Sequence, residues 1–361
     1  MDAHLLNSVC RLRASLHGLA ERSGEETKTK AALMAFLRSN TSLRLDDFGQ
    51  WFCAVHEEAP ALETIAFRAD MDALPFGESA AHHCGHDGHS AVLCGLGLLL
   101  EGRQLGRNIV LIFQHAEENG MGGGVCCQAL KKYGVSRAYA FHNVPQWPES
   151  AVLIRHGTFA CASRGMTAAF KGLPSHAAYP DAGRNPGFAA ARFISALPAL
   201  TEASAYRGLA MATLVGEKVG EKAFGIAAGE AEVWLTLRAW YDDDLKALTG
   251  RLEERARAEA ARDGETACFS YTEGFPATVN DEKTLSRVLS ICRQANLNCV
   301  EVPEPFRWSE DFGHYGADAD AVMLGIGAGE NWPQLHTQDY VFNDKIIETA
   351  LTLFLNLAER G

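Results

Sequence analysis

Short apolar runs that end in polar or charged residues alternate with helical patterns in this chain, and this alternation constrains its fold most. Residues 63–69 and 108–114 have the character of strands, as do residues 137–141 and 321–324. The segment 88–100 lies between the first two strands and has the character of a helix. Strands and helices that alternate in this way predict an α/β fold.

Polar side chains with metal-binding or acid-base chemistry follow these strands. In chain order they are Asp70, Asp72, Glu117, Glu118, His142 and His336. Open α/β sheets bind ligands at the carboxyl ends of their strands, so we expect a site where these residues collect. The helix predicted from residue 88 puts Cys84 and His86 in the loop that leads to its amino end.

The pattern changes from about residue 163 to strand, helix, strand, strand, helix and strand. This order is that of the split βαββαβ sandwich of ferredoxin-like domains. Residues 231–240 also alternate as a strand with one buried face does. We therefore predict an inserted domain at residues 163–273, within a first domain formed by residues 1–162 and 274–361.

Composition argues against several classes of partner. The chain has 33 Lys and Arg against 45 Asp and Glu, a formal net charge of −12, which disfavours nucleic acid and anionic membranes. The apolar run 91–100 is too short to span a bilayer, and the amino terminus lacks an uninterrupted signal-peptide core. Ten cysteines without a Cys-x-x-Cys pair are expected to stay reduced in a cytoplasmic protein.

The six residues from Cys84 to His89 combine a thiol, two imidazoles and a carboxylate with two glycines. Divalent transition ions accept this mixture of ligands, and Mn, Zn, Co and Ni all remain open. Glu117 and Glu118 follow a strand and precede a flexible glycine-rich run at residues 120–124. Adjacent carboxylates can divide the work, one binding metal and one moving a proton. The alternatives are an inert cysteine with exposed histidines, and a solvated acidic pair.

Nearly the whole chain resembles the amidohydrolase branch of the dinuclear metallopeptidases, peptidase family M20, in these motifs and in others along the sequence. That branch includes hippurate, N-acyl-amino-acid and auxin-conjugate hydrolases. The further segments that carry the resemblance are His17–Thr29, Arg68–Pro75, Gln114–Glu118, His142–Asn143, Lys171–Gly172, Ser175–Ala177, Ser309–Phe312, Leu335–His336 and Phe342–Asp344.

The resemblance implies a catalytic α/β domain of the zinc-exopeptidase type with an inserted ferredoxin-like lid and dimerisation domain. It also implies two divalent metal ions per chain, bridged by Cys84. One ion would be held by His86 and His142 as well, and the other by Glu118 and His336.

Four further residues receive roles from the same resemblance. Glu117 would be the general base that later protonates the leaving nitrogen. Asp72 would orient a metal ligand or the base without binding a metal ion itself, although a strand-end cap is an equal alternative. His176 would reach the site of a neighbouring subunit and stabilise the oxyanion, and Arg238 would anchor a substrate carboxylate.

Departures from the family pattern fall mostly in the inserted domain. Gly225 and Ala228 stand where the family commonly has an Asn and a following Pro, so substrate specificity is expected to differ. We predict a homodimeric or larger amidohydrolase that cleaves an N-acyl amino acid or similar small conjugate. A dipeptidase or carboxypeptidase with the same metal site is the alternative within enzymes. A binding protein that has lost catalysis is disfavoured, because Glu117 is retained.

Overall fold

The computed structural model describes residues 1–361, which form two compact units. Unit 1 contains residues 1–159, 278–305 and 310–361, and unit 2 contains residues 160–277 and 306–309. The nine α-helices are α1 (Ala3–His17), α2 (Thr27–Asn40), α3 (His86–Leu100), α4 (Gly123–Cys126), α5 (Gln128–Tyr133), α6 (Gly187–Leu200), α7 (Asp242–Arg262), α8 (Glu282–Gln294) and α9 (Ile347–Arg360).

Eighteen strands accompany these helices. They are β1 (Arg44–Asp47), β2 (Phe52–His56), β3 (Thr64–Asp70), β4 (Leu74–Phe76), β5 (Ser79–Ala81), β6 (Asn108–Gln114), β7 (Val135–Pro145), β8 (Val152–Ile154), β9 (Thr158–Ala160), β10 (Ala162–Lys171), β11 (Ser175–His176), β12 (Ala210–Val219), β13 (Ile226–Ala227), β14 (Glu230–Ala239), β15 (Thr266–Phe275), β16 (Thr278–Val279), β17 (Cys299–Glu301) and β18 (Asp320–Gly329).

Unit 1 is built on an eight-stranded mixed sheet with the order β1-β2-β6-β3-β7-β18-β8-β17. Its four central strands, β6, β3, β7 and β18, run parallel to one another. The buried apolar residues of β3 and β6 explain their central position, because such strands need cover on both faces. The carboxyl ends of the central strands therefore meet at one edge, and the α/β fold prediction is confirmed.

Helix α3 is the central helix of unit 1 and is buried along most of its length. It packs against β3 and against helices α1, α2 and α9. Helix α9 presents apolar residues at helical spacing, among them Ile347, Leu351 and Phe354, to the same core. The core thus fixes the amino end of α3 next to the carboxyl ends of the central strands.

Unit 2 contains a four-stranded antiparallel sheet with the order β12-β14-β10-β15. If these four strands are numbered in chain order, the order in the sheet is second, third, first and fourth, as the split βαββαβ arrangement requires. Val233, Leu235 and Leu237 of β14 are buried in one core with residues of α6 and α7. Strand β12 forms one edge of this sheet.

Two local expectations from the sequence are wrong. His86 is the first residue of α3 and does not lie in the preceding loop. The glycine-rich run at residues 120–124 is not a loop throughout, because residues 123–126 form the short helix α4. A Cβ at Gly122 would lie 1.7 Å from the His115 carbonyl oxygen, so this glycine permits a close backbone contact.

No helix in the structure combines the length and the apolar character that crossing a membrane requires.

Candidate metal centre

Cys84 ends the loop before α3, and His86 begins that helix. Gly85 between them has a φ of 91°, a conformation that glycine adopts readily and other residues rarely. A Cβ at Gly85 would also lie 2.6 Å from the side-chain oxygen of Asn143. Glycine at this position therefore allows the tight turn that brings the Cys84 sulfur within 4.8 Å of a His86 ring nitrogen.

The first candidate ligand group consists of Cys84, His86 and His142, whose ligand atoms lie within 4.8 Å of one another. His142 Nδ1 donates to the Asn143 carbonyl oxygen at 2.8 Å, so Nε2, 3.5 Å from the Cys84 sulfur, holds the lone pair of the neutral ring. His86 Nδ1 lies 3.0 Å from the Asp72 carboxylate, which assigns the proton to Nδ1. Histidines that bind metal are typically oriented by such acceptors.

The second candidate ligand group consists of Cys84, Glu118 and His336. His336 Nε2 lies 3.3 Å from the Cys84 sulfur and 3.8 Å from Glu118 Oε2. The backbone of His336 has a φ of 64°, which is uncommon for a residue with a side chain, and its N–H donates to the His83 carbonyl at 2.8 Å. Cys84 belongs to both groups, as a bridging thiolate would.

Two buried polar atoms at this point lack a hydrogen-bond partner, namely His86 Nε2 and Glu118 Oε1. They lie 3.6 Å apart. Buried polar atoms are nearly always partnered, so two unpartnered atoms side by side require an explanation. A divalent cation would provide it, because thiolate, imidazole and carboxylate are all its accepted ligands. The donor set therefore fits metal ions.

The electrostatics of the ligand groups also favour a cation. Burial, reinforced by the charge of Glu118, raises the pKa of the Cys84 thiol well above its usual value. Burial raises the pKa of Glu118 to about 7, with partial compensation by His86. Burial lowers the pKa of His142 well below its usual value. The thiolate and the carboxylate would both be stabilised by a neighbouring divalent ion, which binds deprotonated ligands.

Glu117 lies beside these groups, with Oε2 4.0 Å from His86 Nε2. Its Oε1 accepts a hydrogen bond from the Asp311 N–H at 3.3 Å. Burial, followed by the charges of Glu310 and Asp311, raises the pKa of Glu117 well above its usual value. A carboxyl group that binds a proton readily beside a potential ligand site has the properties of a general acid-base group.

Asp72 is fully buried and connects the two ligand groups. Its Oδ1 accepts from His86 Nδ1 at 3.0 Å, and its Oδ2 accepts from the Glu118 N–H at 2.9 Å and from Ser23 Oγ at 2.7 Å. One carboxylate thus orients the imidazole of the first group and the backbone of the second.

Sequence reasoning gave no role to a buried network around Arg68. The guanidinium donates to Asp70 at 2.6 Å, to Asp311 at 2.8 Å and to Gln114 at 3.0 Å, and it pairs with Glu310 at 2.9 Å. This network holds Asp311, whose N–H contacts Glu117. An arginine and an aspartate inside an otherwise apolar buried strand were the available signal.

Three further histidines, His82, His83 and His89, receive no ligand role from the resemblance and occupy different surroundings. His89 contacts Asp70 through Nδ1 at 2.6 Å and Asn143 through Nε2, so both ring nitrogens have protein partners. Asp70, His86 and His89 form another geometrically possible ligand group, but these contacts engage the atoms of His89. His82 is buried, and His83 contributes its carbonyl oxygen to the backbone of the second group.

Two predicted site residues lie in unit 2. Arg238 Nη1 donates to the Arg307 carbonyl at 3.0 Å and to the Ser309 hydroxyl at 2.8 Å, and no carboxylate pairs with this half-buried guanidinium. His176 is exposed, and its Nδ1 accepts from the Ala178 N–H at 3.1 Å. The neutral His176 ring therefore carries its proton on Nε2, as a hydrogen-bond donor.

The model of peptidase family M20/M25/M40 matches residues 66–360. The chain belongs to this family. A relative, N-acetyldiaminopimelate deacetylase of Oenococcus oeni, is 26% identical over 364 residues that cover 95% of this chain and 94% of the relative. The family is one of hydrolases, and this membership supports an enzyme that hydrolyses amides.

Two solved structures share the fold of this chain. The YXEP protein of Bacillus subtilis, described as a dinuclear metal-binding peptidase from the M20 family, has a TM-score of 0.85 and 23% identity, over 99% of this chain and 98% of that one. The aminobenzoyl-glutamate utilization protein of Klebsiella pneumoniae has a TM-score of 0.77 and 19% identity, over 99% and 96%.

Proposed function

We propose that this M20 protein is a dinuclear metal-dependent amidohydrolase that cleaves the amide bond of N-acyl amino acids or similar small conjugates. The observation that carries the proposal is the position of Cys84, whose sulfur is shared by two ligand groups. Glu117 lies beside both of them with a raised pKa. A deacetylase among the relatives supports the choice of an acylated substrate.

In this proposal Cys84, His86 and His142 hold one ion, and Cys84, Glu118 and His336 hold the other. Bound divalent ions would polarise the scissile carbonyl and lower the pKa of water towards about 7. The orientation of His86 by Asp72 and of His142 by the Asn143 carbonyl supports the ligand assignment, since each ring in its neutral form directs a lone pair from Nε2. Mn, Zn, Co and Ni all accept this set of ligands.

Glu117 acts as the general base and then as the general acid. It accepts a proton from the attacking water through its carboxylate and delivers that proton to the departing amide nitrogen. The hydrogen bond from the Asp311 N–H to Oε1 fixes one oxygen, which leaves Oε2, on the side of His86, for the proton.

Arg238 is proposed as the anchor for the substrate carboxylate. A guanidinium that is partly buried and contacts only a carbonyl and a hydroxyl retains donors for an anion. Gly225 and Ala228, which stand where the family commonly has an Asn and a following Pro, have no side chain that could donate a hydrogen bond to a substrate. We therefore infer that the carboxylate is recognised mainly by charge and that the range of amino-acid side chains accepted differs from that of relatives.

We further propose that the protein is a homodimer in which unit 2 provides the interface and acts as a lid. Strand β12 is an edge strand, and its residues Leu214, Val215 and Val219 are exposed. Exposed apolar edges pair readily with another strand, and a second copy of this chain is the proposed partner. His176 would donate from Nε2 to the oxyanion in the partner's site. We also propose a cytoplasmic location, which agrees with the presence of ten free cysteines.

The experiment is a substrate screen with protein reconstituted with each of the four metals. N-acetyl and N-benzoyl amino acids are compared with the corresponding free dipeptides, and product amines are measured. The proposal expects hydrolysis of the acylated compounds. Preferential cleavage of free dipeptides would favour a dipeptidase instead, and an absence of amide hydrolysis in fully metallated protein would exclude the proposed activity.

A further inference from the structure

The segment from Glu21 to Glu26 lies against the strand end that supplies Asp72. The Ala73 N–H donates to the Glu21 carbonyl at 2.8 Å, and Arg22 forms a parallel bridge with Ala73. Ser23 Oγ donates to the Asp72 carboxylate at 2.7 Å. These contacts fix the segment relative to the candidate metal centre, although none of its residues belongs to a candidate ligand group.

Glu26 occupies the N-cap position of α2, yet its side chain does not cap the helix. The Glu21 carboxylate performs this task, because it accepts from the N–H groups of Lys28 and Thr29 at 2.8 and 2.9 Å. Capping by Glu21 leaves the carboxylate of Glu26 available for another contact.

That contact is made with the turn that precedes the acidic pair. Glu26 is 3% exposed, and its Oε1 accepts from the Gly24 N–H at 2.8 Å and from the Ala116 N–H at 2.7 Å. Ala116 has a φ of 51°, a left-handed conformation that is unfavourable for alanine. The next residue in the chain is Glu117. The carboxylate of Glu26 therefore binds the strained residue that directly precedes Glu117.

A second carboxylate holds the same turn two residues later, where the Glu118 N–H donates to Asp72 Oδ2 at 2.9 Å. We propose that Glu26 is a positioning residue: together with Asp72 it holds the turn at Ala116 so that Glu117 and Glu118 reach the metal centre. This inference rests on the proposed roles of Glu117 as base and Glu118 as ligand.

Two variants of Glu26 separate reach from charge. Glu26→Asp keeps the charge and places a preferred N-cap residue on α2, but its carboxylate is one methylene too short for the Ala116 N–H. Glu26→Gln loses the charge, but its amide oxygen still reaches both N–H donors. If Glu26 acts by position, the aspartate variant should be the defective one.

The first readout is the affinity of the metal-free protein for Co²⁺, followed by absorption. We expect Glu26→Asp to bind Co²⁺ about 10- to 100-fold more weakly, which is the usual effect of substituting a residue that orients a metal ligand. At saturating metal its kcat should fall about 100-fold with KM changed less than about two-fold, because Glu117 is misplaced and the substrate anchor is untouched. Its thermal midpoint should fall as well, because the buried Ala116 N–H loses its acceptor, and the Glu21→Ala control below separates a loss of stability from a loss of metal affinity. Glu26→Gln should stay within about three-fold of wild type in affinity and kcat.

Two matched controls come from the same segment. Glu25 is exposed, so Glu25→Ala should change nothing. Glu21→Ala removes the cap of α2 and should lower the thermal midpoint without changing Co²⁺ affinity or kcat. Ala116→Gly, combined with Glu26→Asp, should restore part of the lost affinity and kcat, because glycine adopts the left-handed conformation without help.

The inference is overturned if Glu26→Asp matches wild type within two-fold in both affinity and kcat, or if Glu26→Gln is as defective as Glu26→Asp. It is also overturned if glycine at position 116 restores nothing. Should the wild-type protein bind Co²⁺ but hydrolyse no amide, the proposed function fails, and the affinities alone decide whether Glu26 positions Glu118.

Discussion

Replacing Asp72 by Asn tests how far one buried carboxylate controls the metal centre. The carboxylate accepts three hydrogen bonds, from His86 on Oδ1 and from Glu118 and Ser23 on Oδ2. An asparagine has one acceptor oxygen. If this oxygen takes the Oδ2 position, it still accepts from two of the three donors. The new NH₂ group then faces the N–H of His86 Nδ1.

The loss at His86 can be estimated from these contacts. A hydrogen bond to a charged group contributes about 1.5–3 kcal/mol. His86 Nδ1 also lies 3.1 Å from the Asp72 backbone carbonyl, which the substitution keeps, so the loss falls at the low end of this range. A loss of about 1.5 kcal/mol corresponds to roughly ten-fold weaker binding of the ion at the group that contains His86. The group that contains Glu118 keeps its contact and should change less than about three-fold. Asp72→Asn should therefore weaken the binding of one of the two ions selectively.

The assay is competition for metal with a chromophoric chelator at constant pH, with Asp320→Asn as the matched control. Asp320 is exposed at the start of β18, so its substitution should leave both affinities unchanged. The reasoning is refuted if Asp72→Asn binds both ions within two-fold of wild type. An equal loss of affinity for both ions would contradict the assignment of the effect to His86.

Three further outcomes are expected. Glu117→Gln should keep both ions and lose turnover by about 10²–10⁴-fold, whereas Glu118→Gln should also lose one ion, as measured by elemental analysis and initial rates. If both variants keep metal and normal rates, the assignment is wrong. Refolding Glu117→Gln together with His176→Ala chains should restore roughly a quarter of wild-type activity, since half the dimers are mixed and each has one intact site; no recovery in proven mixed dimers contradicts a shared site. Gly122→Ala should lower the free energy of unfolding by about 1–3 kcal/mol or more in chemical denaturation, because its Cβ would overlap the backbone, and an unchanged midpoint would contradict the close packing.

The strands and the ends at which polar residues collect were predictable because periodicity and burial act locally. Residues 108–114 form a strand with the predicted bounds, and Asp70 ends β3, its neighbour in the sheet. The grouping of Cys84, His86 and His142 came from a resemblance, since spacing alone does not give distances between separate strands. The structure brings these three residues together, and their roles as ligands stay a prediction.

The contacts behind the ligands could not be predicted from local patterns. The contact between Glu26 and Ala116 joins residues 90 positions apart, and that between Arg68 and Asp311 joins residues 243 apart. Such pairs depend on how strands and loops pack in three dimensions. The glycine-rich run was misjudged for the same reason, because its glycines permit close packing where the composition indicated flexibility.

The most direct test of a two-ion amidohydrolase is a titration of metal into chelator-stripped protein while hydrolysis of an N-acetyl amino acid is followed. The account predicts no activity in metal-free protein and a rate that reaches its maximum at two divalent ions per chain. Full activity in protein proven to be free of metal, or a maximum at a single ion with no second binding event, would contradict it.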